Sequence, residues 1–355
     1  MNEDARKFLQ ELMDIPSPSG FEERIQNHIR KRMQAHTRDV ETDVHGNVIG
    51  RLNRGAPLRL MLAGHCDEIG FLVQHISDKG FLYVVPVGGV DIPLMPGRRV
   101  FIHGERQRVL GVIGKKPIHL MTDEDRKKVP KAHEIWVDIG AKDKKDTEKR
   151  VEVGDIVTVA EGFALMENGL AVSRAFDDKI GAFAVTEALC QLSRFKGLKV
   201  EVAAVSTTQE EIGLRGARTS AFGIDPHVGI AVDVGFASDH PGVDKEIVGD
   251  VRLGGGPILH KGANINPVVG RLLTDIAKKK KIPFQMTAEP RASGTDANPI
   301  QINRAGVAAA LVSIPNRYMH TPVEMISLED VDRTVQLLAE FARALQPGMD
   351  FTPGC

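Results

Sequence analysis

Apolar positions run along this chain in two rhythms, one of helices and one of strands. Ile25, Ile29 and Met33 recur at every fourth residue and predict a helix from about Glu22 with one apolar face. A helix before it, from about Glu3 to Asp14, stops ahead of Pro16, because a residue preceding proline is pushed out of the α region. Ser19 is placed to cap the second helix, with Glu22 and Glu23 in its first turn. Val44 to Ile49 reads as a turn and a strand, with His45 a turn residue. Continuous apolar runs then mark buried strands at Leu58 to Ala63, Val200 to Thr207, Val228 to Val234 and Val307 to Ile314. Helical stretches lie between and after them. One is opened by Asp177 and Asp178, where the helix dipole favours carboxylates, and one of the pair reads as a cap. Another runs from about Asn266 to Lys279, and a last from about Leu328 to Leu345.

Between Gly70 and about Gly162 the rhythm changes. Short apolar runs such as Phe71–Val73, Phe81–Val85, Val109–Ile113 and Asp155–Val159 alternate with glycines and predict a small β barrel or sandwich. One charged helix, about Asp123 to Val129, interrupts it, and Lys142–Arg150 reads as a solvated loop. The expected fold is therefore α/β, a mixed sheet flanked by helices, with a small β-barrel inserted. Residues 1–69 and 163–355 form one discontinuous domain, and 70–162 form the inserted one.

Composition narrows the partners. A net charge of -1 offers nothing to attract nucleic acid or an anionic membrane. One Trp and two Tyr leave little surface for base stacking. Three cysteines, Cys66, Cys190 and Cys355, are too few and scattered for a disulfide framework. The first residues carry no apolar signal core and no run of 18 apolar residues occurs, so a cytoplasmic protein is expected.

Chemistry gathers where the apolar runs end. In an open α/β sheet, ligands sit outside the carboxyl ends of the strands. The first run delivers His65 and Asp67, whose spacing puts an imidazole and an orienting carboxylate on one side of an extended segment. The second delivers Glu210 and Glu211, neighbours that point apart, so that one can bind a metal while the other handles a proton. Asp233 lies inside an apolar run, a costly place for an unpartnered acid. His320 follows the last run past Pro315. Two imidazoles and several carboxylates suit a pair of divalent ions such as zinc or cobalt. The other histidines, His75, His103, His119 and His133 in the β block and His240 and His260 in expected loops, show no ligand-like spacing.

The order His-x-Asp, Asp-Asp, Glu-Glu, Asp, His resembles the tetrahedral aminopeptidase family, which includes glutamyl, leucyl and lysyl aminopeptidases. The segments that carry the resemblance are Gly64–Gly70, Ala175–Gly181, Gln209–Ala217, Val232–Val234, Gly294–Ala297 and Arg317–Pro322, with Pro16–Gly20 near the start. It runs nearly from end to end, the β block included. It implies that His65 and Asp233 hold one metal, that Glu211 and His320 hold another, and that Asp177 rather than Asp178 bridges them. Glu210 is then the general base and Asp67 orients His65. The implied reaction is removal of N-terminal residues from short peptides with a free amino end, by metal-activated water. Members of that family assemble into hollow tetrahedral dodecamers, so a homo-oligomer is expected, with contacts from the inserted domain. Related sequences labelled cellulases leave glycoside hydrolysis as one alternative, using two carboxylates and no metal. A non-catalytic, metal-stabilised binding protein is the other.

Overall fold

The computed structural model describes residues 1–105 and 107–354, and Cys355 lies outside them. The four apolar runs become the parallel strands Arg59–His65, Glu201–Thr207, Val228–Phe236 and Ala308–Arg317. They sit side by side in the centre of an 11-stranded mixed sheet, in the order 201–207, 59–65, 228–236, 308–317. Antiparallel strands extend it at both edges, Val48–Leu52 on one side and Glu324–Ser327 on the other. A parallel pair, Ile258–Gly262 and Gln285–Glu289, branches from the strand Ala308–Arg317.

The central strands read as unbroken apolar runs because both faces are covered. Helix Phe176–Ser193 packs on strands 59–65, 201–207 and 228–236, and almost every one of its side chains is buried. Helices Glu3–Asp14, Glu23–Gln34 and Leu328–Ala344 pack around it. The contact between this helix and the sheet is close enough to demand glycine. A Cβ on Gly64 would lie 2.4 Å from the Gly181 carbonyl carbon. That closeness sets His65, the next residue, directly beside the helix start that carries Asp177 and Asp178.

The inserted block forms a closed antiparallel barrel whose strands lie between Gly70 and Val159 in the chain but do not follow chain order around the barrel. Alternate side chains fill its interior, among them Phe71, Val73, Leu82, Val84, Val100, Ile102, Val137 and Val157, a core separate from that of the sheet. No helix among the described residues is long and apolar enough to cross a membrane.

Four local expectations are corrected. Ser19 does not cap the second helix. That helix starts at Glu23 with no side-chain cap, and the Ser19 hydroxyl donates instead to Asp67 at 2.7 Å. The charged run Lys142–Arg150 is not all loop, since Lys144–Glu148 is a short helix capped by Asp143. Its Thr147 is buried and donates to the Gly80 carbonyl, a tie that no periodicity reveals. The charged helix in the barrel ends at Lys127 rather than Val129. His260 is not in a loop, since it lies on the strand Ile258–Gly262, between Ser313 and Thr287.

Candidate active site

The carboxyl ends of the four parallel strands open into one cavity of about 680 Å³. His65, Asp177, Glu210, Glu211, Asp233 and His320 all line it. Strand pairing accounts for part of this convergence: His65 is in register with Thr207, three residues before Glu210, and Asp233 with Ser313.

Asp177 lies between the two imidazoles. Its Oδ1 is 3.3 Å from His65 Nε2 and its Oδ2 is 3.1 Å from His320 Nε2. Burial works against its charge, but the imidazoles at His320 and His65 prevail and hold its carboxyl below the ordinary range. Asp178 points elsewhere. Its Oδ1 accepts from the Gly181 amide at 3.0 Å and its Oδ2 from the His65 amide at 3.2 Å, so it is the cap of the pair.

Each imidazole is tied on its far nitrogen. His65 Nδ1 donates to the Asp67 carbonyl at 3.1 Å, and His320 Nδ1 donates to the Gly89 carbonyl at 3.0 Å. A carbonyl oxygen can only accept, so both rings carry hydrogen on Nδ1, and Nε2 faces the carboxylates. Glu210 Oε2 is 3.6 Å from His65 Nε2, and Glu211 Oε2 is 3.6 Å from His320 Nε2.

The glutamate turn is gripped from behind by three segments far away in sequence. Four consecutive amides donate to side-chain oxygens: Thr208 to Asn47 at 3.0 Å, Gln209 to Glu22 at 3.1 Å, Glu210 to Asp67 Oδ1 at 3.0 Å and Glu211 to Asp67 Oδ2 at 3.2 Å. Asp67 therefore does more than stand beside His65. Its carboxylate is 3.4 Å from that ring but holds two amides and the Ser19 hydroxyl.

Residue patterning reads Glu22 only as a first-turn acid of the second helix and does not single out Asn47 or Glu324. Buried Glu324 accepts from the amides of Asp177 at 2.8 Å and His320 at 3.3 Å, fixing the backbones on both sides of the cavity. Asp296, in the Gly294–Ala297 motif, accepts from Thr207 Oγ1 at 2.5 Å. Glu22 and Glu324 are acids beside turns, a signal far too common in sequences to select them.

Charge in the cavity is unbalanced. Burial, with like charges around it, pushes Glu210 to about 10, Asp233 to about 8 and Asp296 to about 6, and raises Glu211 as well. Two imidazoles do not neutralise this many acids. Glu211 Oε1 and Asp296 Oδ1 are buried with no hydrogen-bond partner among the described residues. Single donor atoms of His65, Asp177 and Glu211 lie within 4.8 Å of one another, as do those of His65, Asp178 and Asp233, and either group could hold a metal ion. Orphaned buried oxygens beside imidazole nitrogens are the donor chemistry of a borderline divalent cation. Cys66 takes no part in either group. It is buried, and burial pushes its thiol up.

The chain as a whole is similar to known proteins. The model of the M42 glutamyl aminopeptidase family matches residues 46–337. The lysyl aminopeptidase of Pyrococcus furiosus is 38% identical over 350 residues, covering 98% of this chain and 99% of that protein. Among solved structures, a TET aminopeptidase from a marine-sediment thaumarchaeote superposes with a TM-score of 0.92 at 32% identity, covering 97% of both chains. The TET1 peptidase of Pyrococcus horikoshii, described as assembling into a tetrahedron or a large octahedral shell, superposes at 0.86 with 31% identity, covering 96% of this chain and all of that one. A family match over most of the sequence, on a cavity built of imidazoles and carboxylates, means that the chain belongs to the M42 aminopeptidases and is a peptide hydrolase.

Proposed function

We propose that this aminopeptidase binds two divalent ions, with His65 and Asp233 on one, Glu211 and His320 on the other, and Asp177 shared, and that Glu210 is its general base. The observation that carries the reading is the position of Asp177, one oxygen toward each imidazole, with each ring's Nδ1 already committed to a carbonyl. Asp178, spent on two backbone amides, is the weaker candidate for the shared ligand. Zinc or cobalt suits the mixed imidazole and carboxylate set.

Bound ions supply Lewis-acid polarisation of the scissile carbonyl and a more acidic water. The remaining work falls to side chains. Glu210 takes the proton of the attacking water and delivers it to the leaving amine. Asp67, through the amides of Glu210 and Glu211, keeps the base and its neighbour from exchanging places. The surplus of carboxylates attracts the ammonium of a free peptide N-terminus, which favours removal of terminal residues over internal cutting. The barrel, residues 70–162, serves as the assembly domain of a dodecamer in the cytoplasm, and residues 1–69 and 163–355 serve as the catalytic domain. Glycoside hydrolysis needs two carboxyls and no metal, and it leaves the imidazole pair on Asp177 without a role.

The test is Glu210→Gln beside Glu211→Gln, with metal analysis and kinetics on an aminoacyl chromogenic amide. Glu210→Gln should keep its metal and lose about 10²- to 10⁴-fold in rate. Glu211→Gln should bind one metal more weakly and regain part of its activity when metal is added. Reversed metal contents would exchange the two roles. Full activity in both variants would overturn the reading.

A further inference from the structure

The strand Leu82–Val87 of the barrel is followed by a pair of glycines, Gly88 and Gly89, that lie against Glu211 and His320 of the active site. We propose that this Gly88–Gly89 turn is a positioning element for His320, so that one of the two metal positions depends on the inserted barrel and the other does not. The inference rests on His320 being a metal ligand, as proposed above.

Three observations support it. First, Gly89, 231 residues away in sequence, accepts from His320 Nδ1 at 3.0 Å. That bond selects the tautomer whose Nε2 is free to face Asp177 and Glu211. Second, the turn fits the site so closely that side chains are excluded. A Cβ on Gly89 would lie 2.8 Å from His320 Nδ1 and 3.1 Å from its Cε1. A Cβ on Gly88, where φ is +74°, would lie 2.8 Å from Ile69 Cγ2 and 3.3 Å from the Glu211 Cβ. Third, the turn is held at both ends. Val87 pairs with Gly70, the first barrel residue after the His65–Glu68 segment, and Val90 packs against the barrel core that includes Met95.

The two histidines therefore differ in kind. His65 is buried, and its Nδ1 partner is the backbone of Asp67, within its own segment. The His320 side chain is 37% exposed, and its Nδ1 hydrogen bond goes to the barrel. Glu324 holds the His320 amide but not its ring. Movement of the barrel against the sheet would thus reach the ring of His320 before it reached His65.

The experiment uses the full chain, stripped with a chelator and titrated with zinc by calorimetry. Gly89→Ala has an allowed backbone and a clash confined to the ring. It should weaken one of the two zinc equivalents by about 10- to 100-fold, the usual effect of losing a ligand's hydrogen-bond partner, and leave the other unchanged. Gly162→Ala, with open space around its Cβ, should match the parent. In a His320→Asn background, Gly89→Ala should cause no further loss, whereas a general structural role would add one. Should Gly89→Ala fail to fold, magic-angle-spinning NMR on the zinc-loaded parent protein, with labelled histidine rings assigned by comparison with His320→Asn, reads the tautomer directly. Hydrogen on Nε2 of His320 would overturn the inference. So would parent-like zinc binding by Gly89→Ala while His320→Asn loses an equivalent. Parent-like binding by His320→Asn would instead overturn the ligand assignment itself.

Discussion

Replacing Glu68 by Gln removes one negative charge from a buried group of three. Glu68 Oε1 accepts from Lys179 Nζ at 2.8 Å and from the Ser17 amide at 2.8 Å, and its Oε2 lies 3.1 Å from Arg174 Nε. Glu68 and Lys179 are about fully buried and Arg174 nearly so. At 2.8 Å a unit pair is worth about 6 kcal/mol at an effective dielectric of 20. Desolvation absorbs much of that while the pair is intact, but a buried cation left alone costs about 3–5 kcal/mol. We therefore expect Glu68→Gln to lose about 3–5 kcal/mol in urea unfolding at fixed protomer concentration. The loss should depend on pH. Burial already lowers Lys179 to about 8, below its unfolded value, so the unfolded state binds more protons above that pH and stability rises with pH there. Without Glu68 the folded value drops further, so the gap between parent and variant is widest well below pH 8, narrows as pH rises toward 8 and is constant above it. Glu68→Gln with Lys179→Met should recover part of the loss by removing the stranded cation. A single-variant loss under about 1 kcal/mol, or a double variant no better than the single, would refute the reasoning.

Other expectations are as direct. A chelator should abolish release of residues from free N-termini, and zinc or cobalt should restore it; blocked peptides should be spared, and full activity in metal-free protein would contradict the metal centre. Burial lowers His260 to about 4, so its neutral form contributes stability above pH 6.5 that is lost as pH falls from there toward 4. His260→Gln should flatten that acid limb, by up to about 3 kcal/mol, and an unchanged pH–stability curve would show that another group sets it. Ile118 and Leu120 are 61% and 68% exposed on the barrel block, so Ile118→Asp with Leu120→Asp should shrink the assembly in light scattering. An unchanged particle mass would mean that the subunit contacts lie elsewhere.

The parts of the site readable from sequence are those that strand logic delivers. His65, Glu210, Glu211, Asp233 and His320 stand in or just past apolar runs, and parallel pairing carries runs far apart in sequence to one edge. Asp177 is favoured over Asp178 by its motif already, and the folded chain adds that Asp178 caps Gly181 and the His65 amide. What patterning could not reach are partners joined across long separations. Ser19 looks like a helix cap because that is the usual work of a serine before a helix, and only the folded chain offers it the stronger acceptor, Asp67. Glu324 and Gly88–Gly89 carry no periodicity at all. His260 seemed to belong to a loop because its strand, Ile258–Gly262, is short, polar at one end and attached only as a branch of the sheet.

The cradle of side chains beneath residues 208–211 also has a consequence for biosynthesis. The oxygens that shape this turn come from Glu22, Asn47 and Asp67, and the base we propose, Glu210, comes 143 residues after Asp67. His320 is supplied later still, and its ring is oriented by a loop translated 231 residues before it. No short stretch of the nascent chain therefore contains a working centre, which needs residues from Glu22 to His320. A ribosome can make all of the barrel and most of the sheet before any peptide bond is at risk, and this hydrolase stays inert toward its neighbours until its own folding is almost done.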